Sequence, residues 1–277
     1  MKNELPTHPT AAGSEEAMPA SDPQNPKLWS PLPWSPWFGI IYAVFIFFAA
    51  QIIASLVIGL YVRLQHWTTL EANDWLQNSV FAQFWFVLMA EALTFWAIWW
   101  FVQYRKRTLR SIGLKAARLH DVLIAFGTFA VYFVAVGLVL YAFRNLVPGL
   151  NFDQKQDIGF EGASYAGGFS LVVTFVSLVV LPPLVEEVVF RGFVFGGLRG
   201  KLRFLPAALV TSLIFGAAHL QIGSGKPLLW VAGIDTFTLS FVLCYVRDRS
   251  GSLWPGIFVH ALKNGIAFAS LFLLHVR

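Results

Sequence analysis

Polar and ionisable side chains occur inside three apolar stretches in the C-terminal half of the sequence. The first stretch contains Glu186, Glu187 and Arg191. On a helix, Glu187 and Arg191 lie four residues apart on one face, and this spacing predicts an ion pair. Glu186 is rotated by about 100° from Glu187, so it is free to act as a general base on water. The alternative is that Arg191 and backbone groups hold both glutamates as a helix-packing device.

The second stretch contains Phe215 and His219, separated by small residues that allow a helix or peptide to approach closely. Lys201 marks a charged turn, and similar numbers of residues separate it from Glu186 and from His219. If both helices run straight from this turn, the two side chains lie at similar depth. A lone histidine in an apolar helix usually serves packing, but one level with a free glutamate is a catalytic candidate.

The third stretch contains His260 and Asn264, again four residues apart on one helical face. Both side chains can donate hydrogen bonds to a developing oxyanion, which is a large catalytic contribution in acyl transfer. Counting residues places His260 nearer the cytoplasm than His219, so helix tilt is needed to bring the two together.

A metal-bound water is the alternative to a water activated by side chains alone. Glu186, His219 and His260 are the residues that could complete a catalytic zinc site, since such sites commonly use three protein ligands. The histidines are on separate helices, however, and the sequence has no His-Glu-x-x-His helix. We therefore prefer a mechanism that requires no cofactor, with zinc as the alternative.

The composition indicates that membrane helices position these residues. The 277 residues are 57% hydrophobic and 13% charged, whereas soluble domains carry about 25% charged residues. Several apolar stretches reach the roughly 20 residues that a membrane-spanning helix needs. The net charge of +5 comes mostly from clusters beside these stretches, which are typical of membrane topology and not of nucleic-acid binding.

We predict an all-α, polytopic transmembrane bundle of about seven spans. The expected spans are residues 38–62, 80–102, 121–143, 168–198, 205–220, 228–246 and 253–274, with a break or kink at Pro182 and Pro183. We expect a disordered cytoplasmic tail over residues 1–33, N-terminal transmembrane helices over 34–160 and a C-terminal membrane domain over 161–277. The Lys and Arg clusters predict a cytoplasmic N-terminus, and we expect a bacterial plasma membrane.

The three motifs, Glu-Glu-x-x-x-Arg, Phe-x-x-x-His and His-x-x-x-Asn, resemble in order those of the CAAX-processing endopeptidases, also called the CPBP or Abi family. The resemblance covers roughly residues 165–275. It implies an intramembrane endopeptidase that cleaves near the cytoplasmic side, in which Glu186 and His219 activate water. It also implies that His260 and Asn264 stabilise the oxyanion, with Glu187, Arg191 and Phe215 in support.

The expected partners are membrane lipid and a peptide or membrane-protein substrate, which is prenylated in the eukaryotic branch of the family. One alternative is a non-proteolytic scaffold or bacteriocin-immunity protein of the same family. Another is a proton-coupled transporter that uses the same residues as a relay. The small number of spans and the missing inverted repeat disfavour a transporter.

Overall fold

The computed structural model describes residues 32–154, 156, 158–160, 167–222 and 227–274, and these residues form helices and connecting turns. Most of the predicted tail, residues 1–31, lies outside the described residues. The eight helices are α1 (Pro36–Leu64), α2 (Thr69–Asn78), α3 (Val80–Tyr104), α4 (Leu119–Leu146), α5 (Gly168–Arg199), α6 (Phe204–Ala218), α7 (Trp230–Ser250) and α8 (Trp254–Leu273).

Six of these helices are long and apolar enough to cross a membrane, and α6 is a shorter apolar helix. The prediction of an all-helical, polytopic bundle of about seven spans is therefore confirmed. The predicted bounds agree with the observed ones to within a few residues, because hydropathy follows the apolar surface of each span directly. The predicted division between an N-terminal and a C-terminal part at residue 160 stays a prediction.

The short helix α2 was not predicted. Thr68 caps it, since the Thr68 hydroxyl accepts from the Glu71 amide at 3.3 Å, and the Glu71 carboxylate accepts from the Thr68 amide at 2.8 Å. The Thr68 amide and the Thr68 hydroxyl both donate to the Glu71 carboxylate, and these two hydrogen bonds hold the pKa of the Glu71 carboxyl below its usual range. This capping box, Thr followed three residues later by Glu, was the sequence signal for the helix.

Helix α5 is the centre of the bundle. It packs against α1 and α3 on one side and against α6, α7 and α8 elsewhere. Its Phe193, Phe195 and Leu198 are fully buried in the main hydrophobic core. Outside α5, the main pairs are α1 with α3, α6 with α7, and α4 with α7 and α8. Residues on α5 can therefore meet residues from both halves of the chain.

Of the predicted break or kink at Pro182 and Pro183, the break does not occur, because α5 runs as one helical segment through both prolines; the kink stays a prediction. It does so with two stretches of π-helical geometry, Val176–Val180 before the prolines and Glu187–Val194 after Glu186. Such wide turns are common near functional sites and in helices that must absorb an irregularity. The helix stays intact, and its two glutamates lie at the start of the second wide turn.

Candidate functional site

Glu187 and Arg191 form the predicted ion pair. Arg191 Nη1 lies 2.9 Å from Glu187 Oε1, and both side chains are fully buried. The Arg191 guanidinium also lies 4.4 Å from the centre of the Phe215 ring, in a cation–π contact. A buried charge is tolerated only when it is paired, so the pair fixes Glu187 inside the bundle.

His260 on α8 reaches both glutamates on α5. Its Nδ1 lies 3.2 Å from Glu187 Oε1, and its Nε2 lies 3.8 Å from Glu186 Oε2. The Glu187 carboxylate is ion-paired and accepts, so His260 Nδ1 carries the hydrogen and Nε2 is directed toward Glu186. Glu187 thus sets the orientation of the imidazole that faces the candidate base.

The backbone of α8 approaches Glu187 closely at Gly256. A Cβ atom added to Gly256 would lie 3.0 Å from Glu187 Oε2, a distance that leaves no room unless the buried carboxylate moves. The glycine therefore permits the close packing that brings His260 to the two glutamates.

Glu186 and His219 line the same cavity, which has a volume of about 550 Å³. Glu186 keeps 24% of its side chain exposed, whereas Glu187 keeps none. Apolar side chains from α1, α5 and α6 make up most of the wall. The predicted difference between the two glutamates is thus present: Glu187 is paired and buried, and Glu186 opens into the cavity.

His219 lies at the end of α6, where its Nδ1 donates to the Phe215 carbonyl at 2.8 Å. This bond leaves Nε2 as the ring nitrogen that can interact with a ligand or water. The Phe215 ring is 4.7 Å from the His219 ring and 5.9 Å from the His260 ring, centre to centre. One buried phenylalanine ring therefore lies close to both histidines, which had been expected to lie at different depths.

Asn264 on α8 is bonded to the backbone of α5. Its Nδ2 donates to the Leu178 carbonyl at 3.0 Å. In an α-helix that carbonyl would accept from the residue four positions on, which is Pro182 and has no N–H. Asn264 thus supplies the hydrogen bond that the proline removes, and one of its two amide hydrogens remains for another acceptor.

Sequence reasoning did not assign Glu91 to the site, although Glu91 lines the same cavity as Glu186. It is the one acidic or basic residue of α3, and Gln51 on α1 and Thr94 on α3 line the cavity with it. Glu91 makes no hydrogen bond or ion pair with the residues that the structure describes. The available signal was its ionisable side chain inside a predicted span.

A second polar cluster joins α4, α7 and α8. Lys263 Nζ lies 3.1 Å from Asp235 Oδ2, and the Tyr132 hydroxyl donates to Asp235 Oδ1 at 2.5 Å. Lys263 lies about one helical turn after His260, close to the site. The Asp235 carboxylate neutralises the positive charge of Lys263 there. This cluster ties α8 to its neighbours.

Within the described ranges, no group of three His, Cys, Asp or Glu side chains is placed to hold a metal ion. The ligand set considered from sequence, Glu186, His219 and His260, is therefore not assembled as one. The Nδ1 atom of His260 instead contacts Glu187. We derive no step through a metal.

Comparison with known proteins places these motifs in a family. Residues 168–266 match the family described as type II CAAX prenyl endopeptidase Rce1-like. The matched segment contains all three motifs, from Glu186 to Asn264. No solved structure matches the chain significantly.

Two curated proteins are similar to parts of the chain. "Putative membrane peptidase YdiL" of Bacillus subtilis (strain 168) is 32% identical over 85 residues, 31% of this chain and 32% of that protein. "Uncharacterized 24.3 kDa protein" of Escherichia coli is 32% identical over 102 residues, 35% of this chain and 45% of that protein. The chain thus spans less than half the length of either relative. Residues 168–266, which carry the three motifs, are therefore similar to the type II CAAX prenyl endopeptidase family, and this similarity covers only that part of the chain.

Proposed function

We propose that this chain is an intramembrane endopeptidase that hydrolyses a peptide bond near the cytoplasmic side of the membrane. The observation that supports this most directly is the shared cavity of Glu186 and His219, two motif residues from different helices. The similarity of residues 168–266 to a peptidase family supports peptide hydrolysis in general. The residue roles and the position of cleavage are part of the proposal.

In the proposed reaction, Glu186 removes a proton from a water that His219 Nε2 helps to orient. The resulting hydroxide attacks the carbonyl carbon of the scissile bond, and the carbonyl oxygen becomes an oxyanion. When the C–N bond breaks, Glu186 returns the proton to the leaving nitrogen, so Glu186 ends in its starting state. The geometry that supports this assignment is the partly open Glu186 side chain in an otherwise apolar wall.

We propose His260 and Asn264 as the groups that stabilise the oxyanion. His260 Nε2 faces Glu186 at 3.8 Å and can donate to the oxyanion when the ring carries a hydrogen on both nitrogens. Asn264 keeps one amide hydrogen beyond the bond to Leu178. Donors held in place before the reaction are worth more than mobile ones, because they need no reorganisation as charge develops. Glu187 and Arg191 act as positioning residues for His260.

The apolar cavity wall suits a substrate with large apolar groups near the scissile bond. Phe47 and Phe48 of α1 and Phe190 of α5 line the wall together with aliphatic side chains. An apolar peptide segment, a membrane-protein segment or a peptide with a prenyl chain would each bury apolar surface there. A prenylated peptide is the variant of the proposal that the family description suggests.

The test is cleavage by purified full-length protein of a panel of membrane-tethered peptides, with and without a prenyl group. Glu186→Gln and His219→Ala are compared with wild type, and Glu71→Gln serves as a matched control on the exposed helix α2. We expect each cavity variant to lose at least about 100-fold in turnover, the range for a lost acid–base group. The Glu71 variant should retain wild-type turnover.

The same cleavage assays, repeated in the presence of a chelator, show whether the activity depends on a metal. Activity that persists in both cavity variants would overturn the residue assignment. If the wild type cleaves no peptide but still binds the panel, the non-proteolytic scaffold becomes the better description.

A further inference from the structure

A second cavity, of about 320 Å³, lies where the connection between α3 and α4 meets the turn between α7 and α8. Basic and small polar side chains dominate its wall: Lys115, Arg118, His120, Asp121, Arg249 and Ser252. We propose that this pocket binds the phosphate headgroup of an anionic phospholipid. The candidate active site does not include it.

The pocket is held in shape by hydrogen bonds that do not involve its cationic side chains. Three hydrogen bonds connect the segment before α4 to α7 and to the start of α8. Arg247 Nη2 donates to the Ile112 carbonyl at 2.9 Å, and the Leu253 amide donates to the Gly113 carbonyl at 3.0 Å. Trp254 Nε1 donates to the Lys115 carbonyl at 2.6 Å. The backbone that carries Lys115 is thereby fixed opposite the end of α7. A preformed pocket binds more tightly, because little ordering is needed on binding.

Close packing at Gly113 also indicates that the pocket is preformed. Gly113 has a φ of +100°, and a Cβ atom there would lie 2.4 Å from the Arg247 guanidinium. Arg247 is buried, so its role is to anchor this turn. The exposed cations around the pocket are different residues and remain accessible to a ligand.

The charges around the pocket favour an anion. Lys115, Arg118 and Arg249 are basic and exposed, while Asp121 is the one acidic residue of the wall among the residues that the structure describes. The Asp121 carboxylate already accepts from the Arg118 amide at 2.9 Å, so it is partly neutralised by the start of α4. The excess of positive charge complements a phosphodiester, which carries one negative charge.

A lipid is favoured over a soluble phosphate because lipid-facing apolar surface starts beside the pocket. Leu119, Leu123 and Phe126 along α4 are 76%, 63% and 63% exposed. Acyl chains can lie against these side chains while the headgroup occupies the pocket. The Lys and Arg clusters predict that this end of the bundle is cytoplasmic, and anionic lipids attract basic pockets at that surface.

The test is native mass spectrometry of full-length protein in detergent, titrated with phosphatidylglycerol, phosphatidylcholine or soluble glycerol phosphate. The pocket variant Lys115→Gln, Arg118→Gln, Arg249→Gln is compared with Lys106→Gln, Arg107→Gln, Arg110→Gln. The second triple variant loses the same charge from exposed residues of the same connection, outside the pocket. Arg118→Gln alone is the milder variant, since it leaves the backbone bond to Asp121 intact.

We expect wild type to retain phosphatidylglycerol in preference to phosphatidylcholine. The pocket variant should lose about tenfold in phosphatidylglycerol affinity, and the matched variant much less. Equal losses in the two triple variants would overturn the proposal, because they would mean general charge attraction. Glycerol phosphate that competes as well as the lipid would overturn a lipid as the ligand.

Discussion

Asn264 and Leu178 are joined across two helices by a hydrogen bond of 3.0 Å, from the Asn264 amide to the Leu178 carbonyl. The carbonyl needs this donor because the residue four positions later is Pro182. A residue of the His-x-x-x-Asn motif is thus coupled to the proline pair that precedes the glutamates. The bond also fixes the position of α8 along α5, and with it the position of His260.

We expect Asn264→Leu to destabilise the protein by about 1 kcal/mol, because the half-buried Leu178 carbonyl is left without a donor. Pro182→Ala restores an N–H to the helix, so Asn264→Leu should cost much less in the Pro182→Ala background. Thermal unfolding of the four proteins in this double-mutant cycle gives the coupling energy. Asn145→Leu is the control, since Asn145 donates to the Tyr141 carbonyl on an exposed surface. Additive losses would contradict the compensation between Asn264 and Pro182.

Hydropathy and helical spacing were enough to predict the spans and the Glu187–Arg191 ion pair. Both depend on short-range periodicity, which the sequence displays directly. The contact of His260 with both glutamates depends instead on how α8 crosses α5. Counting residues along straight α-helices did not allow for the two π-helical stretches of α5.

The position of Glu91 in the cavity wall also depends on how the helices pack, which the sequence does not display. The sequence places Glu91 inside an apolar span, but which face of α3 meets α5 is decided by tertiary packing. The proline pair shows the opposite case, in which local sequence predicted a break. Wide helical turns and a side-chain donor from α8 kept the helix continuous instead.

Gly256→Ala should reduce peptide cleavage more than it reduces stability. The added methyl group would lie 3.0 Å from Glu187 Oε2 and would displace either α8 or the carboxylate that orients His260. We expect about a tenfold loss of turnover, since small misplacements of catalytic groups are costly. Turnover and thermal unfolding are measured together.

The control for this substitution is Gly265→Ala on the same helix. A Cβ atom at Gly265 would meet Val179 Cγ1 at 3.7 Å, an ordinary contact. Equal effects of the two substitutions would indicate a general response of α8 to alanine, and the close approach at Gly256 would lose its significance.

Glu91→Gln should change which peptides the protein prefers. Among the residues that the structure describes, Glu91 and Glu186 are the two acidic residues of the cavity wall, and neither Lys nor Arg lines it. A positively charged group on the substrate would therefore be stabilised there. We expect wild type to prefer peptides with Lys over norleucine near the scissile bond by about tenfold, and Glu91→Gln to lose this preference.

Binding of the same peptides, measured by fluorescence anisotropy, supplies a readout that does not require cleavage. The preference should persist in Glu71→Gln, which neutralises a glutamate far from the cavity wall. A Glu91→Gln variant with unchanged preference would show that this carboxylate does not contact the substrate.

The ion pair between Glu187 and Arg191 allows stability and positioning to be separated. Glu187→Gln leaves Arg191 as a buried charge without its counterion, which should cost about 3–5 kcal/mol. Glu187→Gln with Arg191→Met removes both charges, so most of that stability should return. Turnover should not return with it, because His260 Nδ1 then faces a neutral amide in place of the carboxylate 3.2 Å away. Thermal unfolding and peptide cleavage are measured on both variants; a double variant with wild-type turnover would show that Glu187 serves the fold alone.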